Sequence, residues 1–233
     1  MKRKRGYGRY NGRGKSRAGG SGRRAGQQAL YIRSGIAVLL ILTVALGIYS
    51  CTSGTGRAYT LADVDASKPE IDVQLLDVNP YSRPGTKTEK ITGIVAHYTA
   101  NPGSTAQNNR DYFNGLKDSH ETEASSNFIV GLDGEIIQCV PTWEMAYASN
   151  SRNIDTVSIE CCHPDETGKF TEKTYRSLVQ LTAWLCVKFN LTEDQVIRHY
   201  DVTGKNCPKY FVENEDAWAQ FKEDVAGAIA KGE

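Results

Sequence analysis

The chain has no acidic residue before Asp63, although 27 Asp and Glu occur among its 233 residues. Twelve Lys and Arg fall in residues 1–61, so this stretch carries a formal charge of +12 and the remainder −11. The near-neutral total of +1 therefore joins two segments suited to different surroundings. The absence excludes a uniformly charged globule, and it excludes a basic nucleic-acid-binding domain in the C-terminal part. Heptad, triplet and longer internal repeats are also lacking. With hydrophobic residues at 39%, coiled-coil, collagen-like and wholly disordered chains are excluded as well.

Charge is missing again from Ser34 to Gly56, which contains the apolar run Gly35-Ile-Ala-Val-Leu-Leu-Ile-Leu-Thr-Val-Ala-Leu-Gly-Ile-Tyr49. At about 1.5 Å per residue, a helix over 34–51 spans roughly 27 Å, enough for a bilayer core. A buried soluble helix would need a core upstream, and nothing there can build one. Eleven basic residues precede the run, from Lys2 to Arg33, and short Lys/Arg-rich flanks stay cytoplasmic. The pattern predicts a single-pass signal anchor at 34–51, touching membrane lipid, with the N-terminus inside and the acidic part outside. Ile48-Tyr-Ser-Cys51 is similar to a lipoprotein cleavage box, so a lipid anchor on Cys51 is the alternative. Tyr49 is bulky for that box and the basic leader is long, which favours the uncleaved anchor.

The tail, residues 1–33, contains Arg5-Gly-Tyr-Gly-Arg-Tyr-Asn-Gly-Arg-Gly14 and is too poor in apolar residues to fold. Its Arg and Tyr could stack on RNA, but a topogenic tail lying on anionic lipid accounts for the same residues. No nucleic-acid partner is expected. Residues 52–69 are small and polar and read as a linker. Residues 70–233 suffice for one domain with its own core, expected to be monomeric.

Within that domain Ile91-Thr-Gly-Ile-Val-Ala-His97 predicts a buried strand, and Ser104 predicts the cap of a helix to about Leu116. Asn127 to Gln138 predicts a hairpin turning at Asp133-Gly134. Thr156 to Cys162 predicts another strand, and Thr171 to Phe189 an amphipathic helix. Val196 to His199 predicts a short strand, and Asn214 the cap of a helix from Glu215 to Ala230. Strands alternating with helices predict an α/β domain, a mixed central β-sheet flanked by helices, preceded by the one transmembrane helix.

His97 and His199 each end a predicted strand, and Cys207 follows His199 by eight residues. Two imidazoles and a thiolate suit Zn²⁺ and leave a fourth position open, as catalytic zinc sites do. Glu160 stands alone in the apolar strand Val157-Ser-Ile-Glu-Cys-Cys162, where a carboxylate is costly unless it is used or paired.

Three blocks occur in order: Val95-Ala-His-Tyr-Thr-Ala-Asn-Pro-Gly103, Ser158-Ile-Glu160, and Arg198-His-Tyr-Asp-Val-Thr-Gly-Lys-Asn-Cys-Pro-Lys-Tyr-Phe211. Together they resemble the zinc-dependent N-acetylmuramoyl-L-alanine amidases, the type 2 amidases related to the peptidoglycan recognition proteins. Asn79-Pro-Tyr-Ser-Arg-Pro-Gly85 is similar to the lead-in of many bacterial members, and the resemblance covers roughly residues 73–211. It implies His97, His199 and Cys207 as zinc ligands and peptidoglycan as substrate. The bond cut would be the amide between N-acetylmuramic acid and L-alanine of the stem peptide, attacked by zinc-activated water. Glu160 would serve as general base and acid, and Lys205 would stabilise the oxyanion. Asp201 would shape its loop or orient a ligand, and Thr99 would line the cleft. Some phage members carry a catalytic Tyr where register puts Ser126 here, and many members carry a His where this chain has Ala148.

His120 and His163 belong to no block and are expected at the surface. With Cys51 at the membrane and Cys207 on zinc, four cysteines remain: Cys139, Cys161, Cys162 and Cys186. Disulfides or buried thiols both satisfy the sequence. A peptidoglycan-binding module without catalysis is the main alternative, and it leaves Cys207 and Glu160 unexplained. A Cys–His peptidase built on Cys161 or Cys162 with His199 leaves His97, Lys205 and Cys207 unexplained.

Overall fold

The structure, a computed structural model, describes residues 61–232. The basic tail, the expected anchor at 34–51 and residues 52–60 lie outside the described residues. Among those described, no helix is long and apolar enough to cross a membrane.

Six strands form one sheet: β1 (Asp72–Val73), β2 (Gly93–Tyr98), β3 (Phe128–Val130), β4 (Ile136–Gln138), β5 (Thr156–Cys161) and β6 (Val196–Arg198). Their order across the sheet is β1-β4-β3-β5-β2-β6. Only β3 and β4 pair antiparallel; every other neighbouring pair is parallel. The expected mixed sheet is therefore present. Among the described residues five helices flank it: α1 (Ala106–Ser119), α2 (Glu172–Phe189), α3 (His199–Thr203), α4 (Lys209–Glu213) and α5 (Glu215–Lys231).

The central strand β2 is covered on both faces, which is why it reads as a near-continuous apolar run, whereas β5 alternates, with Val157 and Ile159 in one core and Ser158 and Glu160 on the opposite face. The β3–β4 hairpin turns where Asp133-Gly134 predicts. Gly131 N–H donates to the Glu135 carbonyl at 2.8 Å, and Gly134 sits at φ +85. A Cβ at Gly134 would also meet the Lys173 carbonyl oxygen at 2.9 Å, so glycine is needed there twice over.

Two caps differ from expectation. Helix α1 is capped by Thr105, whose hydroxyl accepts the Asn108 N–H at 3.1 Å while Asn108 Oδ1 accepts the Thr105 N–H at 3.1 Å. The Ser104 hydroxyl is engaged in the preceding turn, donating to the Asn101 carbonyl at 2.7 Å. Asn214 precedes α5 but makes no side-chain cap; its carboxamide donates backwards to the Tyr210 carbonyl at 2.9 Å. Helix α2 is capped by Thr171, whose hydroxyl accepts the Thr174 N–H.

One sheet face packs Ile94, Ala96, Val157 and Ile159 against Leu178, Leu181 and Leu185 of α2 and Phe221 and Val225 of α5. The other packs Ile129 and Ile137 against Ala106, Phe113 and Leu116 of α1. Cys161 belongs to the first core and Cys162 to the second, the alternation a strand imposes. Cys139, Cys161, Cys162, Cys186 and Cys207 are all buried free thiols, so no disulfide exists among the described residues.

Residues 61–69, which composition places in the linker, pack onto the domain. Val64 and Ala66 are 5% and 8% exposed and belong to the first core. Lys231 Nζ donates to the Leu61 carbonyl at 2.9 Å, and Arg176 pairs with Asp63 at 2.7 Å. A chain beginning at Glu70 is expected to unfold roughly 5 °C below one beginning at Tyr59, since a fully buried Val contributes about 1.5–3 kcal/mol. Equal midpoints by thermal circular dichroism would show that the segment contributes nothing.

Candidate functional site

The parallel pairing of β2 with β5 sets His97 beside Glu160 in register. Strand β6 lies on the other side of β2, with Ala96 opposite Arg198, so the next residue, His199, arrives level with His97. His199 opens α3, and its place depends on Arg198. The Arg198 guanidinium donates to Asp201 at 2.9 Å, to Glu215 at 2.8 Å and to the Phe211 carbonyl at 3.0 Å. Asp201 thus shapes the turn through Arg198. Helix α3 stops at Gly204, φ +76, and the chain doubles back until Tyr200 N–H donates to the Cys207 carbonyl at 2.9 Å. That return brings the Cys207 thiol under the two imidazoles.

One donor atom from each of His97, His199 and Cys207 lies within 4.8 Å of the others. Cys207 Sγ is 3.8 Å from His97 Nδ1, close to the roughly 3.6 Å edge of a tetrahedral site with Zn–N near 2.1 Å and Zn–S near 2.3 Å. His199 donates from Nε2 to Asn150 Oδ1 at 2.8 Å, and its Nδ1 is buried without any partner. His97 Nε2 lies 3.1 Å from the Ser149 hydroxyl. A buried nitrogen with no partner, in a group of two imidazoles and one thiol, fits a divalent metal with an open fourth position.

These groups line an open cleft of about 430 Å³, together with Glu160 and Lys205. Tyr98, Phe113, Glu123 and Tyr147 are among its other lining residues. Glu160 Oε2 is buried with no hydrogen-bond partner. Burial pushes its pKa up to about 8, against the opposing field of Lys205. Burial lowers both His97 and His199 and raises Cys207 to about 12.

The structure thus brings together His97, His199, Cys207, Glu160 and Lys205. Thr99 is not among the lining residues; its N–H donates to the Cys161 carbonyl at 3.0 Å. Ser126 is buried, donating to the Phe128 carbonyl, and lies outside the cleft. His120 is exposed. His163, expected at the surface, is 1% exposed because it tucks beside Tyr98 with Nδ1 on the Asp165 carbonyl at 2.8 Å. Ala148 does line the cleft, as its alignment with the family's His implies. Ser149 and Asn150, which touch the imidazoles, carried no signal in the sequence beyond following Ala148.

The sequence profile of N-acetylmuramoyl-L-alanine amidases matches residues 87–210. The chain belongs to this amidase family. N-acetylmuramoyl-L-alanine amidase CwlL of Bacillus licheniformis is 34% identical over 160 residues, covering 64% of this chain and 44% of that protein. BlyA of Bacillus subtilis strain 168 is 33% identical over 176 residues, covering 66% of this chain and 46% of that protein. The chain thus spans under half the length of these relatives. Among solved structures, the catalytic domain of XlyA matches with a TM-score of 0.58 at 25% identity, over 67% of this chain and 99% of that one. A mutant endolysin from Bacillus subtilis matches with a TM-score of 0.58 at 27% identity, over 68% of this chain and 99% of that one. The sheet and flanking helices described above are therefore those of type 2 amidases.

A carboxyl with a raised folded pKa binds its proton more tightly when folded than when unfolded. In metal-free protein, Glu160 therefore costs least at or below pH 4.5, its ordinary value, and progressively more as pH rises to about 8. Replacing Glu160→Gln is expected to stabilise the metal-free protein on the order of a few kcal/mol at pH 8 and little at pH 4.5. Urea denaturation of both proteins with chelator present checks this; a difference that does not grow with pH would disprove the burial of that charge.

Proposed function

We propose that the domain is a zinc-dependent amidase that hydrolyses the bond between N-acetylmuramic acid and L-alanine of the peptidoglycan stem peptide. One observation carries this reading: donor atoms of His97, His199 and Cys207 converge in a cleft of an amidase-family fold, beside the unpartnered carboxylate of Glu160. His97, His199 and Cys207 would hold the ion. Zinc there supplies Lewis acidity, which polarises an amide carbonyl and lowers the pKa of water toward about 7.

The remaining chemistry falls to the protein. Glu160, registered beside His97, takes a proton from the attacking water and returns it to the leaving L-alanine nitrogen. Lys205 enters from the exposed loop before Cys207 and faces the negative charge that develops on the amide oxygen. All five residues come from one chain, so a monomer suffices.

We further infer that the segment 34–51 anchors the protein in the cell membrane, with the domain outside, within tether's reach of the wall. The charge asymmetry about this apolar run supports that topology. The −11 of residues 62–233 opposes adhesion to an anionic polymer, so tethering and not charge would hold the enzyme near its substrate.

The purified chain is expected to carry one zinc and to release stem peptides with a free L-alanine amino group, until a chelator removes the metal. Glu160→Gln should lower turnover by about 10²–10⁴-fold and Lys205→Ala by about 10²–10³-fold, with zinc content kept in both. Zinc uptake without peptide release would indicate a binding module instead. For the topology, protease added to intact cells should degrade the domain and spare the N-terminal tail; a protected domain would overturn the anchor.

A further inference from the structure

A metal-binding imidazole presents one nitrogen to the ion, and its other N–H must be held to fix tautomer and ring angle. In this site both imidazoles find that partner on adjacent residues: Ser149 Oγ for His97 and Asn150 Oδ1 for His199. Neighbouring residues in an extended segment point to opposite sides. Here Asn150 sits at φ +52, in the left-handed region that Asn enters more readily than most residues. The bend gathers both side chains onto two rings whose centroids are 4.7 Å apart.

The turn is braced from behind. Asn153 Oδ1 accepts the N–H groups of Ala148 at 3.1 Å and Ser149 at 2.5 Å. Arg152 pairs with Asp155 at 2.9 Å and donates to the Thr92 hydroxyl at 3.0 Å, one residue before β2. The strand that delivers His97 and the turn that holds its ring are thereby tied together. Asn150 Oδ1 can only accept, so His199 carries its hydrogen on Nε2. That leaves the Nδ1 lone pair buried and unpartnered among the ligand atoms.

Resting on the metal reading above, we propose that Ser149 and Asn150 are positioning residues that set both imidazoles as Nε2–H tautomers, so that the two Nδ1 atoms and Cys207 Sγ face one cation. The left-handed bend at Asn150 lets two adjacent side chains serve both rings.

The test uses the full chain labelled with ¹⁵N at its four histidines, metal-free at pH 8, where an ordinary imidazole is neutral. Two-bond ¹⁵N–¹H correlation should show His97 and His199 as Nε2–H. Asn150→Gly tolerates the left-handed backbone but removes the acceptor. It should give a mixed His199 tautomer and a 10–100-fold loss of zinc affinity in chelator competition, at an unchanged thermal midpoint. Asn150→Asp keeps an acceptor and should restore both, and Ser149→Ala should disturb His97 in the same way. Unchanged tautomers and affinities in Asn150→Gly and Ser149→Ala would overturn the proposal. So would a loss of affinity that Asn150→Asp fails to restore. If the wild-type chain binds no zinc, the metal reading fails, and the tautomers alone still decide the positioning role.

Discussion

The register between β2 and β5 is the constraint on which the rest of the site depends. Both strands are hydrogen-bonded on each side within the sheet, and His97 and Glu160 occupy one registered pair. A slip of a single residue would move either side chain to the opposite face, into the core built by α2 and α5. Imidazole and carboxylate therefore start from paired positions on one face of the sheet. The third neighbour, β6, adds His199 at the same level, and the doubled-back loop after α3 adds Cys207. Ligand convergence is a property of sheet order, with only the thiol delivered by a loop.

That arrangement sets polar groups where the sheet would otherwise be apolar. At one end of β2 and β5 the face carries Ser158, Glu160 and His97, where its continuation carries Ile129 and Ile137 against Phe113 of α1. Glu160 and His199 each keep a buried atom without a partner, and Asn150 holds a backbone conformation few residues adopt. Such features lower stability. The two cores, and the packed segment around Val64 and Ala66, offset them. Buried polar atoms without partners beside a cluster of metal donors mark a candidate site.

Much of the fold was legible in the sequence, because strand and helix patterns are local. The β-branched run before His97, the Asp133-Gly134 turn and the amphipathic stretch after Thr171 each form the element their spacing predicts. Where expectation and structure part, a competing local bond decided. Ser104 satisfies the turn before α1 and leaves the cap to Thr105, and Asn214 bonds back to Tyr210 in place of capping α5. His163 looked like a surface residue among polar neighbours, yet tertiary packing buries it against Tyr98. Residues 61–69 looked like a linker by composition, although two small apolar residues bind them to the core.

By itself the sequence determined which side chains were available for chemistry. His97, His199, Cys207, Glu160 and Lys205 follow from residue type and from three blocks in family order, since those depend on identity and spacing alone. Only the tertiary structure decided how they are used. It brought residues about a hundred positions apart within 4.8 Å, left Thr99 off the cleft, and bent Ser149 and Asn150 under the two rings. Which nitrogen of an imidazole is free depends on what the other one touches, and that contact arises from a turn packed across the sheet, beyond the reach of any local pattern.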